Sequence, residues 1–209
     1  MEQDIAILMA DLSGYTALTE THGSSTAADL IDKYLEIIKS SLVGACHLHE
    51  RTGDEVMIVS SSVDDLLSTA IMIIKNTSEE NNFLQVHGGL HYGKILKRNN
   101  SYFGSAINIA SRIVSKANPG TFWCSENFMG VLNNKPGIAF LPKGKHRLKN
   151  ISEEIGMFEL ENSASSSFDI DPVCRMLVKR NAIKHHHEHN VFFCSTDCLD
   201  IYTKNGLVN

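Results

Sequence analysis

Apolar residues fill Ile5–Ala10 without a break, the pattern of a strand buried on both faces. Asp11-Leu-Ser-Gly-Tyr interrupts it, and Ser24 or Ser25 then offers an N-cap to a long helix that keeps Leu30, Tyr34, Ile37, Ile38 and Leu42 on one side. Cys46–Arg51 and Val56–Val59 flank a Thr-Gly-Asp turn and predict a hairpin. Leu66, Leu67, Ala70, Ile71 and Ile74 mark a second amphipathic helix over Asp64–Lys75. Leu84–Tyr92 and Lys94–Leu96 read as strands around Gly93, and Gly104–Ala117 as a helix stopped by Asn118-Pro119-Gly120. A short strand at Thr121–Cys124, a short helix at Glu126–Leu132 and further strands between Gly137 and Leu160 complete this part. Helices and strands alternate, but the middle strands follow one another directly. That order predicts an α+β, ferredoxin-like sandwich rather than a doubly wound parallel sheet.

Asn162-Ser-Ala-Ser-Ser-Ser167 has the composition of a flexible linker, so the expected division is residues 1–161, a linker over 162–167 and a small domain over 168–209. The last part is too short for an independent apolar core, and a metal would stabilise it. In all, 209 residues with 43% hydrophobic and 21% charged content describe a globular chain. The net charge of −5 gives no electrostatic support for binding nucleic acid or an anionic membrane surface. The densest cationic stretch, Lys143, Lys145, His146, Arg147 and Lys149, suits a nucleotide phosphate better than a duplex. No signal peptide or membrane span is legible, and the odd number of cysteines, five, argues for reduced thiols; the expected location is the cytoplasm.

Asp11 and Asp54 each stand where a predicted strand gives way to a loop, and carboxylates so placed can hold Mg²⁺ against a triphosphate. Five stretches occur in order: ADLSGYTALTE, ERTGDEVM, GGLHYGKIL, YFGSAINIASRI, and GKHRLKN with MFEL. Together they resemble the class III nucleotidyl cyclase domain, the family of adenylate and guanylate cyclases, over roughly Ile5–Leu160. The resemblance implies the class III sandwich and the conversion of ATP or GTP to the cyclic 3′,5′-monophosphate and pyrophosphate. It implies two Mg²⁺ or Mn²⁺ ions on Asp11 and Asp54, with the Leu12 backbone beside them and Gly14 and Tyr15 close to the phosphates. One ion would polarise the ribose 3′-hydroxyl and the other steady the leaving pyrophosphate. Asn108 and Arg112, on one helical face, match the pair that orients the ribose and stabilises charge at the α-phosphate. Lys149 matches the triphosphate-binding lysine, and Lys94 could assist. Because the family takes its aspartates from one subunit and its Asn/Arg pair from the other, a homodimer is implied.

The base-reading positions depart from the adenylate cyclase pattern of Lys with Asp or Thr: they hold Glu50 and Ser101. Guanine offers donors at N1 and N2, so a Glu acceptor suits GTP, whereas frequency among stand-alone bacterial-style cyclases favours ATP. The base stays open, and Arg51 could read it only if the strand slipped by one residue. Non-catalytic nucleotide and metal binding is the alternative function.

Cys174-x19-Cys194-x3-Cys198, within DPVCRMLV and FFCSTDC and followed by Tyr202, resembles the YHS domain and related metal-handling cysteine modules. Thiolates imply Zn²⁺ or Cu⁺ and an open fourth position that His185, His186, His187 or His189 could fill, and tethering through the Ser-rich linker implies tuning of the cyclase by metal or redox state. Cys46 and Cys124 read as core thiols. A zinc-finger role on nucleic acid is disfavoured by charge.

Overall fold

The computed structural model describes residues 2–133, 137–161, 168–179, 183–184 and 191–204. The chain runs β1 (Glu2–Ser13), α1 (Tyr15–Ser41), β2 (His47–Thr52), β3 (Glu55–Ser60), α2 (Val63–Ser78) and β4 (Gln85–Arg98). It continues with β5 (Ser101–Phe103), α3 (Ser105–Val114), β6 (Phe122–Ser125), α4 (Glu126–Met129), β7 (Phe140–Arg147) and β8 (Glu154–Leu160). The C-terminal segment holds β9 (Phe168–Ile170), β10 (Leu177–Lys179), β11 (Ile183–Lys184), β12 (Phe192–Phe193) and α5 (Thr196–Lys204). The linker positions 162–167 and the histidines at 185, 186, 187 and 189 lie outside the described residues.

The main sheet is ordered β2-β3-β1-β4-β6-β8-β7, with β5 paired to β4. Its first four strands with α1 and α2 form the βαββαβ arrangement of a ferredoxin-like sandwich, as the element order predicts. Among the described strands only β4 and β6 run parallel. β1 is apolar on both faces because helices cover both. Ala6, Leu8, Ala10 and Leu12 pack with α1 and α2, while Ile5, Ile7 and Met9 pack with Ala106, Ala110 and Val114 of α3.

Three departures from the predicted boundaries bear on the site. β1 does not stop at Asp11; it pairs with β4 as far as Ser13, because the ladder from Gln85 upward is available to it. α1 begins ten residues before Ser25, at Tyr15, with left-handed Gly14 as its N-cap, and the serines instead follow a kink at Gly23 (φ 80°, ψ 168°). β4 passes through Gly93 unbroken, since β1 continues to pair alongside it there, Ile5 opposite Gly93.

The C-terminal segment joins the main core. Cys174, Met176, Phe193 and Cys198 belong to the same apolar cluster as Phe83, Leu84 and Leu30. Leu177 N–H donates to Phe83 O at 2.6 Å and Asn82 N–H to Leu177 O at 2.8 Å, so the segment is clipped to the stretch leading into β4.

α3 lies directly on β4 where Gly89 has no side chain. A Cβ there would sit 2.6 Å from Ala110 O and 2.7 Å from Val114 N, both backbone atoms that cannot rotate away. Gly89→Ala should therefore cost about 1–3 kcal/mol in urea-induced unfolding. Gly130→Ala, whose Cβ would meet nothing nearer than 3.4 Å, serves as the control and should stay within about 0.5 kcal/mol.

Candidate functional site

The sheet register brings Asp11 and Asp54 together. Ala10 stands opposite Val56, so Asp11 is one step from the β2–β3 turn formed by Gly53 and Asp54. On its other side Asp11 stands opposite His87. Directly opposed residues share a face of the sheet, so Asp11 and His87 lie on the α3 side, whereas Leu12 turns its side chain into the α1–α2 core.

The two carboxylates are mutually within hydrogen-bonding reach and half-buried. Burial raises the pKa of Asp11 above the ordinary carboxylate value, against hydrogen bonds from the Leu12 backbone and Asp54 that lower it. Burial first, then the charge of Asp11, raises Asp54 to about 6. Asp11 Oδ1 is buried and finds no hydrogen-bond partner among the described residues. An orphaned carboxylate oxygen beside a second carboxylate that resists ionisation is a donor set that fits a hard divalent cation. His87, which the motifs did not single out, completes this corner: Nε2 lies 4.0 Å from Asp11 Oδ2 and Ser13 Oγ 2.8 Å from Nδ1. Burial lowers its basicity, against the charge of Asp54, and so favours the neutral imidazole. Its alternation position on β4 was the available signal, but only the register with β1 makes it a neighbour of Asp11.

Gly14 and Tyr15 follow at once. With Gly14 as N-cap and no side-chain cap, the first N–H groups of α1 are left available to an anion. Glu50 lies opposite Met57, itself opposite Met9, which puts Glu50 two ladders from β1, roughly 10 Å, on the same face as Asp11. β2 has a register irregularity between Leu48 and Glu50, and Arg51 donates from Nη1 to Gly53 O at 2.7 Å, bracing the turn.

Lys94, Ser101 and Lys149 lie apart from this corner within one chain. Lys94 stands opposite Asp4, seven residues along β1 from Asp11, roughly 24 Å at about 3.4 Å per residue. Ser101 pairs with Arg98, farther still in the same direction. Lys149 follows β7, four ladders from β1 or roughly 19 Å. Asn108 is exposed on α3, and Arg112 is half-buried with its Nε buried and unpartnered among the described residues. Of the cationic stretch, Lys143 is taken by Glu159 at 2.8 Å and lies over the Trp123 ring.

A second cluster gathers the three C-terminal cysteines. Cys194 Sγ is 3.4 Å from Cys174 Sγ and 3.5 Å from Cys198 Sγ. Asp171, fully buried, builds the cluster from behind: Oδ1 accepts from Val173 and Cys174 N–H at 2.8 and 3.2 Å, and Oδ2 from Cys194 N–H at 2.8 Å. The hydrogen bond from Cys174 lowers the pKa of the Cys194 thiol to about 6, and the same bond pushes the pKa of Cys174 far up, while burial raises Cys198 to about 12. One thiolate is thus favoured, and a second and third require a cation.

The raised Asp54 sets a pH dependence. Its protonated form is favoured in the fold, so its contribution to stability is present below the ordinary 3.8 and lost as pH rises through about 6. Asp54→Asn should match the parent near pH 4 and unfold at higher temperature above pH 6 in the absence of divalent cations. Mg²⁺ should stabilise the parent above pH 6 and leave the variant unchanged; thermal unfolding followed by circular dichroism checks both.

Residues 1–162 match the family of the adenylate and guanylate cyclase catalytic domain. An uncharacterized protein of Mycobacterium tuberculosis is 32% identical over 155 residues, 74% of this chain and 40% of its own length. A pH-sensitive adenylate cyclase of the same organism is 25% identical over 166 residues, 78% of this chain and 42% of its own. The chain thus spans about two fifths of the length of these relatives. In structure, an adenylate cyclase of Trypanosoma brucei in its monomeric state superposes with a TM-score of 0.71 at 18% identity, covering 79% of this chain and 91% of that one. Among the described residues no helix is long and apolar enough to cross a membrane. Through the match over residues 1–162 the chain belongs to the adenylate and guanylate cyclase catalytic-domain family.

Proposed function

We propose that this protein is a nucleotidyl cyclase that acts on ATP or GTP with two divalent metal ions at sites shared between two copies of the chain. The observation that carries this reading is the Asp11–Asp54 pair with its orphaned Oδ1, three residues before Gly14, the N-cap of a helix start with no side-chain cap. Two Mg²⁺ or Mn²⁺ ions held there supply Lewis acidity to the 3′-hydroxyl and charge neutralisation to the departing pyrophosphate. Asp11 and Asp54 bind through their carboxylates, and Leu12 through its backbone. The N–H groups at Gly14 and Tyr15 bind phosphate oxygens. The ribose 3′-oxygen forms its bond to the α-phosphorus in line with the bond that breaks to the β-phosphate, and the hydroxyl proton leaves to solvent.

Asn108 and Arg112 complete this site from a second copy, orienting the ribose and stabilising charge at the α-phosphate, with Lys149 on the triphosphate. Asn108 is exposed on α3 and Arg112 Nε is buried without a hydrogen-bond partner among the described residues, which supports this. Glu50, on the Asp11 face, and Ser101 read the base. The acceptor at Glu50 favours GTP, and a relative named as an adenylate cyclase favours ATP. Residues 168–209 form a YHS-like module that binds Zn²⁺ or Cu⁺ through Cys174, Cys194 and Cys198, and its metal or redox state tunes turnover. Five free thiols support a cytoplasmic setting.

Purified protein incubated with ATP and with GTP, in Mg²⁺ and in Mn²⁺, should yield a cyclic nucleotide that disappears in Asp54→Ala. No product under any condition would favour non-catalytic nucleotide binding. Asp54→Ala and Arg112→Ala, each inactive alone, should regain activity on mixing through the one intact site of each hybrid dimer, and no gain would exclude shared sites. Glu50→Lys should move the ATP/GTP ratio of kcat/KM toward ATP, and an unchanged ratio would remove Glu50 from the base site.

A further inference from the structure

We propose that His22 is the fourth ligand of a Zn²⁺ centre completed by Cys174, Cys194 and Cys198, and that the ion ties the C-terminal segment to α1 beside the phosphate loop of the cyclase site. The inference rests on reading the three cysteines as metal ligands and adds to it the donor and the consequence.

The ligand atoms of the four residues all lie within 4.8 Å of one another. His22 Nε2 is 3.4 Å from Cys194 Sγ and 3.5 Å from Cys198 Sγ. A tetrahedral ion with Zn–S near 2.3 Å and Zn–N near 2.0 Å has ligand-to-ligand edges of roughly 3.5–3.8 Å. The sulfur and nitrogen separations of 3.4–3.5 Å are close to those edges and far too long for a disulfide. Three thiolates and one imidazole form a closed set of the structural-zinc kind, which favours Zn²⁺ over Cu⁺. Asp171 fixes the two cysteine-bearing loops as outer-shell carboxylates do, and a cleft of about 400 Å³ lined by His22, Thr26, Lys33, Phe83, Cys194 and Ser195 gives the ion a path in.

His22 is contributed by the other half of the molecule. It sits immediately before Gly23, whose φ of 80° breaks α1 and is open to glycine at little cost. Nothing lies within 4 Å of where a Gly23 Cβ would be, so steric crowding does not require the kink. Its effect is to end the first helical segment at the residue that faces the thiols. Next to Cys174, Arg175 adopts a left-handed backbone (φ 69°), and its Cβ and Cγ lie 2.5 and 2.8 Å from where a Cβ on Gly14 would be. An ion held by His22 and Cys174 therefore fastens α1 on one side and presses Arg175 onto the Gly14 loop on the other.

The test uses the full-length protein with Co²⁺ as a spectroscopic substitute for Zn²⁺, and hydrogen exchange as a second readout. Wild type should bind one equivalent, with tetrahedral d–d bands and thiolate-to-cobalt charge transfer. His22→Ala, checked for folding by circular dichroism, should bind at least about 10–100-fold more weakly, the range that loss of even an outer-shell partner produces. His22→Cys should recover tight binding with stronger charge transfer, from four thiolates instead of three. Zn²⁺ should slow exchange of the amides of residues 12–18 in wild type and not in His22→Ala. If wild type binds no metal, the cysteine reading and this inference both fall. If His22→Ala binds with unchanged affinity and bands, or His22→Cys gives the wild-type spectrum, the three cysteines stand as ligands and His22 does not. Unchanged exchange at residues 12–18 on Zn²⁺ binding would overturn the link to the phosphate loop.

Discussion

The molecule depends on the register of β1 between β3 and β4. Ala10 opposite Val56 and Asp11 opposite His87 are two consequences of one ladder. The pleat then decides the rest: even positions of β1 bind the α1–α2 layer, and odd positions bind α3 until Asp11, where the apolar series ends in a carboxylate. A slip of one residue would exchange the two faces, burying Asp11 against α1 and α2 and exposing Leu12. Because both faces are packed, such a slip is costly at every position of the strand at once. The same constraint that secures the core thus holds the acidic corner in place.

That corner carries an electrostatic cost. Two half-buried carboxylates with an unsatisfied oxygen destabilise the protein whenever both are ionised, and the pressure is visible in the raised Asp54. The fold tolerates it because the surrounding sheet is over-determined by apolar contacts. A cation would supply the missing partner, so the arrangement that is poor for stability suits cation binding. The cysteine cluster follows the same logic with softer donors: one thiol whose ionisation its neighbour favours, two that are held protonated, and a fully buried carboxylate that orients two of their loops. The two sites lie at opposite approaches to one short loop, since Gly14 follows the β1 end and receives Arg175 from the C-terminal segment.

The sequence by itself determined the kinds and order of the elements from β1 to β8 except β5 and the family resemblance of residues 1–162, and it singled out Asp11, Asp54 and the three cysteines as candidate positions. These are legible because apolar period, turn residues and motif spacing are local properties. Tertiary structure alone decided that β1 continues past Asp11, that α1 starts at Gly14 and bends at Gly23, and that β4 runs through Gly93: each was settled by an available partner strand or packing face, not by local preference. It alone placed His87 beside Asp11, and set Lys149 and Lys94 far from that corner. It also brought His22 to Cys194 across 172 positions of chain, where the sequence pointed to nearer histidines. The physical reason is the same in each case. Spacing along the chain reports what a segment can form, but which side chains meet is set by strand register and by close packing between elements remote in sequence.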